Sequence, residues 1–372
     1  MRILFFLLRK EFRQIFRDFA IVRTIFIMPI MQLMILPQVA NFELKNANFV
    51  VVDHDHSPQA RHLIDKLSSV RYFTCTGYVN SFDEARTLIE LGTADFILEL
   101  PNGFEQMLMR EQSVTVGMSV NAINGVKANL GAIYAQSVIR EWNQDIRLQI
   151  AQPERFQVES SIRVVATVWY NVFMQYSWFM VPGIMMVLLA MVGLFLTALN
   201  IVKEKEIGTI EQINVTPIKK WQFIVGKLLP FWLIGLVLLS ISLVVSRVVY
   251  QIIPVGTLVA IYVFAGVFLL AMLGLGLLLS TLADTQQQAM LLAFFFIMVF
   301  MLLGGLYTSI DSMPEWTQWM TRVNPIAYGI KGMRMLVIKG STLYDVLPEL
   351  SALILYAVVI NLLAVWNYRK TT

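Results

Sequence analysis

Apolar residues run along this chain in six long blocks, and one extended polar block separates the first from the other five. The first block, at roughly 20–40, reads AIVRTIFIMPIMQLMILPQVA; the others lie at roughly 175–201, 222–250, 257–282, 286–307 and 347–367. About 20 predominantly apolar residues cross a bilayer as a helix, so each block is read as a membrane span. Arg23 stands near one end of the first, where its long stem lets the guanidinium reach the headgroups. Pro29 and Pro37 are tolerable in a membrane helix and predict a kink there.

Ahead of the first span, residues 1–19 show a different periodicity. At 100° per residue, Phe5, Leu8, Phe12, Ile15, Phe16 and Phe19 share one arc, and Arg9, Lys10, Arg13 and Arg17 share the neighbouring arc. This predicts an amphipathic helix lying in the headgroup layer, its basic residues meeting anionic lipid. A plain basic flank is the blander reading. The short apolar run at 3–8 argues against a cleaved signal peptide.

The polar block, 41 to about 172, alternates strand and helix signals. NFVVVD, YFTCTGYV, ADFILEL and SVTVGMSV read as strands. Between them come SPQARHLIDKLSS with Ser57 as cap, SFDEARTLIELG capped by Ser81 and closed by Gly92, and the short PNGFEQMLMRE. A long helix over about 125–150 completes an α/β domain with helices packed on a sheet.

Composition agrees with this division. The 372 residues are 57% hydrophobic and only 15% charged, against about 25% charged in soluble domains. Residues 41–172 hold 11 Lys+Arg and 15 Asp+Glu, whereas the remainder holds 18 and 10. An acidic insert therefore interrupts a basic membrane protein, and the basic excess fits membrane flanks rather than nucleic-acid binding. Arg2, Arg9, Lys10, Arg13, Arg17, Lys203, Lys205, Lys219, Lys220, Arg369 and Lys370 put both termini and the 203–220 segment inside, and 41–172 outside. Arg322, Lys331, Arg334 and Lys339 then fall in an outside loop, 308–346, against the rule.

Candidate chemistry is sparse. His54, His56 and His62 cluster with Asp53 and Asp55, which invites a divalent metal. The plainer reading, and the one adopted, is a polar strand-to-helix turn with no metal. Cys75 is the single cysteine, so no intramolecular disulfide forms. No phosphate-binding loop and no nucleophile–histidine constellation occurs, so no catalytic residue is assigned.

Two segments carry helix-start signals. In KEKEIGTIEQINVTPIKK, residues 203–220, Gly208 permits a sharp turn, Thr209 and Gln212 make a capping box, and Thr216–Pro217 repeats the start signal. This predicts a short helix at about 210–215 presented to the inside, with Glu204, Glu206 and Glu211 around it. In the outside loop, SMPEWTQWM and NPIAYGIKGMRMLVIKG predict two short helices that dip into the outer leaflet and return.

The order of these segments resembles the ABC-2 type exporter permeases, in particular those with a large external domain after the first span. LLRKEFRQIFRD is similar to the connecting helix of that family, VVDHDHS and GTADFILELPNGF to its external domain, and KEKEIGTIEQINVTP to its coupling segment. GLGLLLSTLADTQQQAM resembles the stretch between the fourth and fifth spans. SMPEWTQWMTRVNPIAYGIKGMRMLVIKG resembles the re-entrant segment, with Asn324, Pro325, Tyr328 and Arg334 in the matching places. LLGGLYTSI departs from the family, having Gly304 and Gly305 and no proline.

The resemblance implies a mainly α membrane protein of six spans, in four parts. These are a connecting helix at 1–19, a first span at 20–40, an external α/β domain at 41–172, and the remaining spans at 173–372. It further implies a bacterial inner-membrane permease that binds no cofactor itself. ATP and Mg would sit on separate cytoplasmic ATPase subunits, seated against Glu204, Glu206, Gly208, Thr209, Glu211, Thr216 and Pro217. A second permease copy or a sister permease, and a periplasmic adaptor, are the other implied partners. The substrate class would be a drug, lipid or lipid-linked molecule. Two other readings are a secretion scaffold acting through its external domain and a secondary transporter. For the latter, Lys227, Arg247 and Asp284 lie near span ends rather than at a midplane relay.

Overall fold

The computed structural model describes residues 2–17, 19–39, 47–111, 113–123, 125–150, 170, 175–209 and 220–367. The chain is mainly helical with one small mixed sheet, and it separates into two units, Met1–Asn41 with Val168–Thr372, and Phe42–Thr167. It opens with α1 (Arg2–Arg17) and α2 (Phe19–Val39). Leu7, Glu11 and Ile15, spaced four apart, form the buried face of α1. Phe5, Phe16 and Phe19 stay exposed, and Phe12 stacks on Phe16. Ile15, read from the sequence as part of that aromatic arc, faces the protein instead. The helix therefore has a third, inward face that its amphipathic pattern did not announce.

The inserted unit follows in the order β1 (Ala47–Asp53), α3 (Pro58–Ser69), β2 (Phe73–Val79), α4 (Phe82–Glu90), β3 (Phe96–Leu100), α5 (Phe104–Arg110), β4 (Gly117–Val120) and α6 (Gly125–Ile150). The sheet order is β2-β1-β3-β4, with β1 parallel to both neighbours and β4 antiparallel to β3. Alternation along the strands divides the core. Phe49, Val51, Phe96 and Leu98 meet α3, α5 and α6 on one face, and Val50, Val52 and Ile97 meet Ala85 of α4 on the other. The Ser57 and Ser81 hydroxyls accept the backbone N–H of Ala60 and Glu84, so both predicted caps form. The fourth strand begins only at Gly117, later than its alternating sequence suggested.

The rest of the first unit comprises α7 (Tyr176–Glu206, with a π turn at Met191–Leu196), α8 (Lys220–Tyr250), α9 (Leu258–Leu282) and α10 (Gln286–Leu302). Then come α11 (Glu315–Thr321), α12 (Pro325–Arg334, continued by a π turn at Met335–Lys339) and α13 (Leu347–Asn367). Four helices, α7, α8, α9 and α13, are long and apolar enough to cross a membrane; α10 and the Ile25–Val39 part of α2 are shorter apolar helices. α10 ends at Leu302, short of the predicted 307, because the chain turns through Gly305 in the left-handed region. α7 is the most enclosed of the long helices and runs past the predicted end at 201. Its 31 residues span about 46 Å, some 15 Å more than the hydrocarbon layer. The KEKE tetrad is thus its last turn and not a loop.

In the inserted unit, Gly131 on α6 lets that helix lie against Phe96, since a Cβ there would sit 2.1 Å from the ring. Gly131→Ala should lower the stability of this unit by about 1–3 kcal/mol through overpacking. The loss should appear as faster amide exchange across α6, and Phe96→Leu in the same chain should recover part of it.

Candidate functional site: an ionic junction at the end of α7

Helical spacing sends the four charged residues closing α7 in different directions. Glu204 points inward and is buried, whereas Lys205 and Glu206 are exposed and reach the corner between α9 and α10. Lys205 donates to the Ala283 carbonyl at 3.0 Å and pairs with Asp284. That lysine holds the Asp284 carboxyl below its ordinary value. Glu206 accepts from the backbone N–H and side-chain amide of Gln286, at 3.2 and 2.8 Å, and so caps the first turn of α10.

Glu204 enters a cluster drawn from three helices. Lys227 of α8 is 1% exposed, with its Nζ 2.9 Å from Glu11 Oε1 of α1 and 2.7 Å from Glu204 Oε2. It also donates to Asn200 Oδ1 at 3.1 Å. Lys10 of α1 reaches both acids from the half-exposed side, 2.9 Å from Glu11 Oε1 and bonded to Glu204 Oε1. Two ammoniums and two carboxylates balance, which is what makes their burial tolerable. Burial would lower Lys10, but hydrogen bonds to Glu204 and Glu11 outweigh it and hold the ammonium above its ordinary 10.5. Its contribution is therefore complete below that pH and fades only as pH rises past the raised value. Glu11 Oε2, Thr197 Oγ1 and Asn200 Nδ2 are buried without a hydrogen-bond partner, so the cluster is paired in charge but not saturated in hydrogen bonds.

Of the residues singled out in the sequence, Lys10 and Glu204 thus meet. Arg9, Arg13 and Arg17 remain exposed on α1. Gly208 ends α7 with φ +80 and donates its N–H to the Lys205 carbonyl. The Thr209 hydroxyl donates back to the Glu204 carbonyl. Glu211, Thr216 and Pro217, with the helix predicted at 210–215, lie outside the described residues. Glu11 was missed, and Lys227 was read only as a residue near a span end, without its partners. Their signal was available: Glu11 interrupts an apolar i, i+4, i+8 stripe between Leu7 and Ile15, and Lys227 stands alone in FIVGKLLPFW.

At the other end of α7, the predicted outer residues converge. The Asn324 side chain caps α12 by accepting the Ile326 N–H, and its amide donates to Phe300. Pro325 is the first residue of α12, and the Tyr328 hydroxyl donates to the Arg322 carbonyl. Arg334 lies 3.5 Å over the Phe179 ring and donates to the carbonyls of Phe179, Gly305 and Leu306. Arg322 stacks on Trp319, and Lys331 pairs with the buried Glu349. These three basic residues are therefore engaged in local structure.

Two further features bear on chemistry. The histidines diverge: His54 lies 3.9 Å from Glu99, His56 lies 3.6 Å from Asp53, and His62 accepts the Trp142 indole N–H. Among the described residues no group of three or more potential ligands is placed to hold a metal. An apolar cavity of about 280 Å³ lies between α2, α7 and α10. Met28, Met191, Phe195, Phe294 and Ile297 line it, with Gln32 adding one amide.

The junction has a measurable signature. Lys227→Met should lower stability by about 3–5 kcal/mol, because two carboxylates are left with one half-exposed partner. Thermal unfolding in detergent, followed by tryptophan fluorescence, reads this. Adding Glu11→Gln to the same chain restores the charge balance, and the double variant should lose less than the two single losses summed.

Residues 19–366 match the family described as ABC-2 family transporter protein. The chain is similar to the Probable multidrug ABC transporter permease YbhR of Escherichia coli, 28% identical over 338 residues, covering 91% of this chain and 90% of that one. It is also similar to the Probable multidrug ABC transporter permease YbhS of the same organism, 25% identical with 89% and 87% covered. The Inner membrane transport permease YhhJ, again from Escherichia coli, is 22% identical with 88% and 86% covered. With its apolar helices and a family match running nearly end to end, the chain belongs to the ABC-2 family of integral membrane transport permeases.

Proposed function

We propose that this chain is the membrane subunit of an ATP-driven exporter and moves a hydrophobic or amphipathic substrate, such as a drug or lipid. The observation that carries the coupling is the junction at the end of α7. One helical turn is tied by charge to α1, to α8 and to the start of α10. A push on α1, or on the segment beginning at Gly208, therefore reaches α7 and α8 together as a rigid unit. The pushing partner is a separate cytoplasmic ATPase that binds ATP and Mg, contacted by Glu206, Gly208, Thr209, Glu211, Thr216 and Pro217. In this reading α2 and α10 complete six spans, both termini are cytoplasmic, and the inserted unit lies outside, where an adaptor could meet it. α11 and α12 form the re-entrant segment, and two permeases pair.

The lining of the cavity between α2, α7 and α10 supports the substrate class. Methionine and phenylalanine side chains offer a deformable apolar surface that suits unlike molecules. The names of the relatives YbhR and YbhS point the same way.

Affinity purification of this chain from native membranes should recover a protein with a phosphate-binding loop. Recovery of no such ATPase would sink the proposal. Gly208→Val forces a β-branched residue into positive φ and should weaken that association about tenfold. The Ile297→Trp variant fills the cavity. It should slow efflux of an apolar dye while leaving the ATPase bound, and unchanged efflux would remove the cavity from the transport path.

A further inference from the structure

Lys10 has a second environment. Besides the two acids of the junction, it lines an open pocket with Arg13, Gln14 and Arg17 of α1 and Phe19, the first residue of α2. An ammonium carries three N–H donors, and Glu11 and Glu204 take two of them. The junction is neutral in itself, so its acids are already matched by Lys10 and Lys227. Arg13 and Arg17 take no part in it, and among the described residues no carboxylate pairs with either. Arg9, Arg13 and Arg17 stand four apart along one helix, a spacing at which like charges repel. A bound anion relieves that repulsion.

The surroundings choose the kind of anion. Phe19 forms one wall of the pocket, Phe16 is exposed one turn away, and the next residues begin the apolar helix α2. A free anion gains nothing from these aromatic side chains, whereas a ligand with a phosphate at one end and hydrocarbon at the other satisfies both. We propose that the pocket lined by Lys10, Arg13, Arg17 and Phe19 is a discrete binding site for the phosphate of one anionic phospholipid. Arg13, Arg17 and the third N–H of Lys10 hold it. Its occupant would share Lys10 with the junction, so the lipid and the end of α7 are linked through one ammonium. The site does not depend on the transport reading, because lipid binding is measured on the permease alone.

Native mass spectrometry of the purified full-length chain in neutral detergent tests this with three probes, phosphatidylglycerol, phosphatidylcholine and inorganic phosphate. One phosphatidylglycerol should be retained at least tenfold more strongly than phosphatidylcholine. Arg13→Gln/Arg17→Gln should lower its retention about tenfold, and Arg13→Lys/Arg17→Lys should preserve most of it. Arg9→Gln, outside the pocket, should leave it within about twofold. An equal loss in Arg9→Gln would show diffuse attraction to a basic helix and overturn the site. So would unchanged retention in the Arg13→Gln/Arg17→Gln variant. Inorganic phosphate binding as well as the lipid would make the pocket a small-anion site and overturn the lipid assignment. Unfolding temperatures measured alongside separate lost binding from lost folding.

Discussion

The fold of the membrane unit hangs on the position of one buried ammonium. Lys227 lies inside α8, where its burial is offset by Glu11 and Glu204, both within ion-pair distance. Those two acids come from opposite ends of the sequence relative to the inserted unit. Their meeting requires α1 to lie along α8 and α7 to extend past the hydrocarbon. Gly226, beside Lys227, meets the same requirement from the apolar side. Its missing Cβ leaves room for Leu7, which would otherwise lie 2.5 Å away. The polar and apolar contacts of α1 therefore fix the same docking position.

The two ends of α7 are secured by unlike chemistry. At the C-terminal end, charges neutralise one another in pairs. At the N-terminal end, a single arginine meets three carbonyls and a ring, and among the described residues no carboxylate pairs with it. Carbonyl dipoles and a π-face hold a guanidinium in place by directional contacts, and the fork geometry of arginine suits it to that task. An ion pair attracts in all directions and yields more readily to another charge. The arginine end is thus suited to anchoring, and the paired end to moving as a unit.

Much of this was readable in the sequence. Apolar blocks located the long helices, and alternation with serine caps located the sheet unit, including α6 at its predicted limits. Local signals succeed where a residue answers to neighbours a few positions away, as Ser57, Ser81 and Asn324 do. Reading failed at the end of α7, because KEKE looks solvated when only its charge is counted. Its burial depends on Lys227 and Glu11, partners that no local window contains. Arg334 is a similar case: its acceptors are backbone carbonyls, which a sequence does not display.

The π turn at Met191–Leu196 gives the junction one more meaning. A π turn holds one residue more than an α turn, so every side chain after it is rotated by about 100° from where an unbroken α-helix would put it. Glu204 follows that turn and owes its inward aim to it. If the turn relaxed to α, the last stretch of α7 would screw round and carry Glu204 away from both lysines. The ion pairs at one end therefore hold the irregularity in the middle, and parting them would free the helix to rewind.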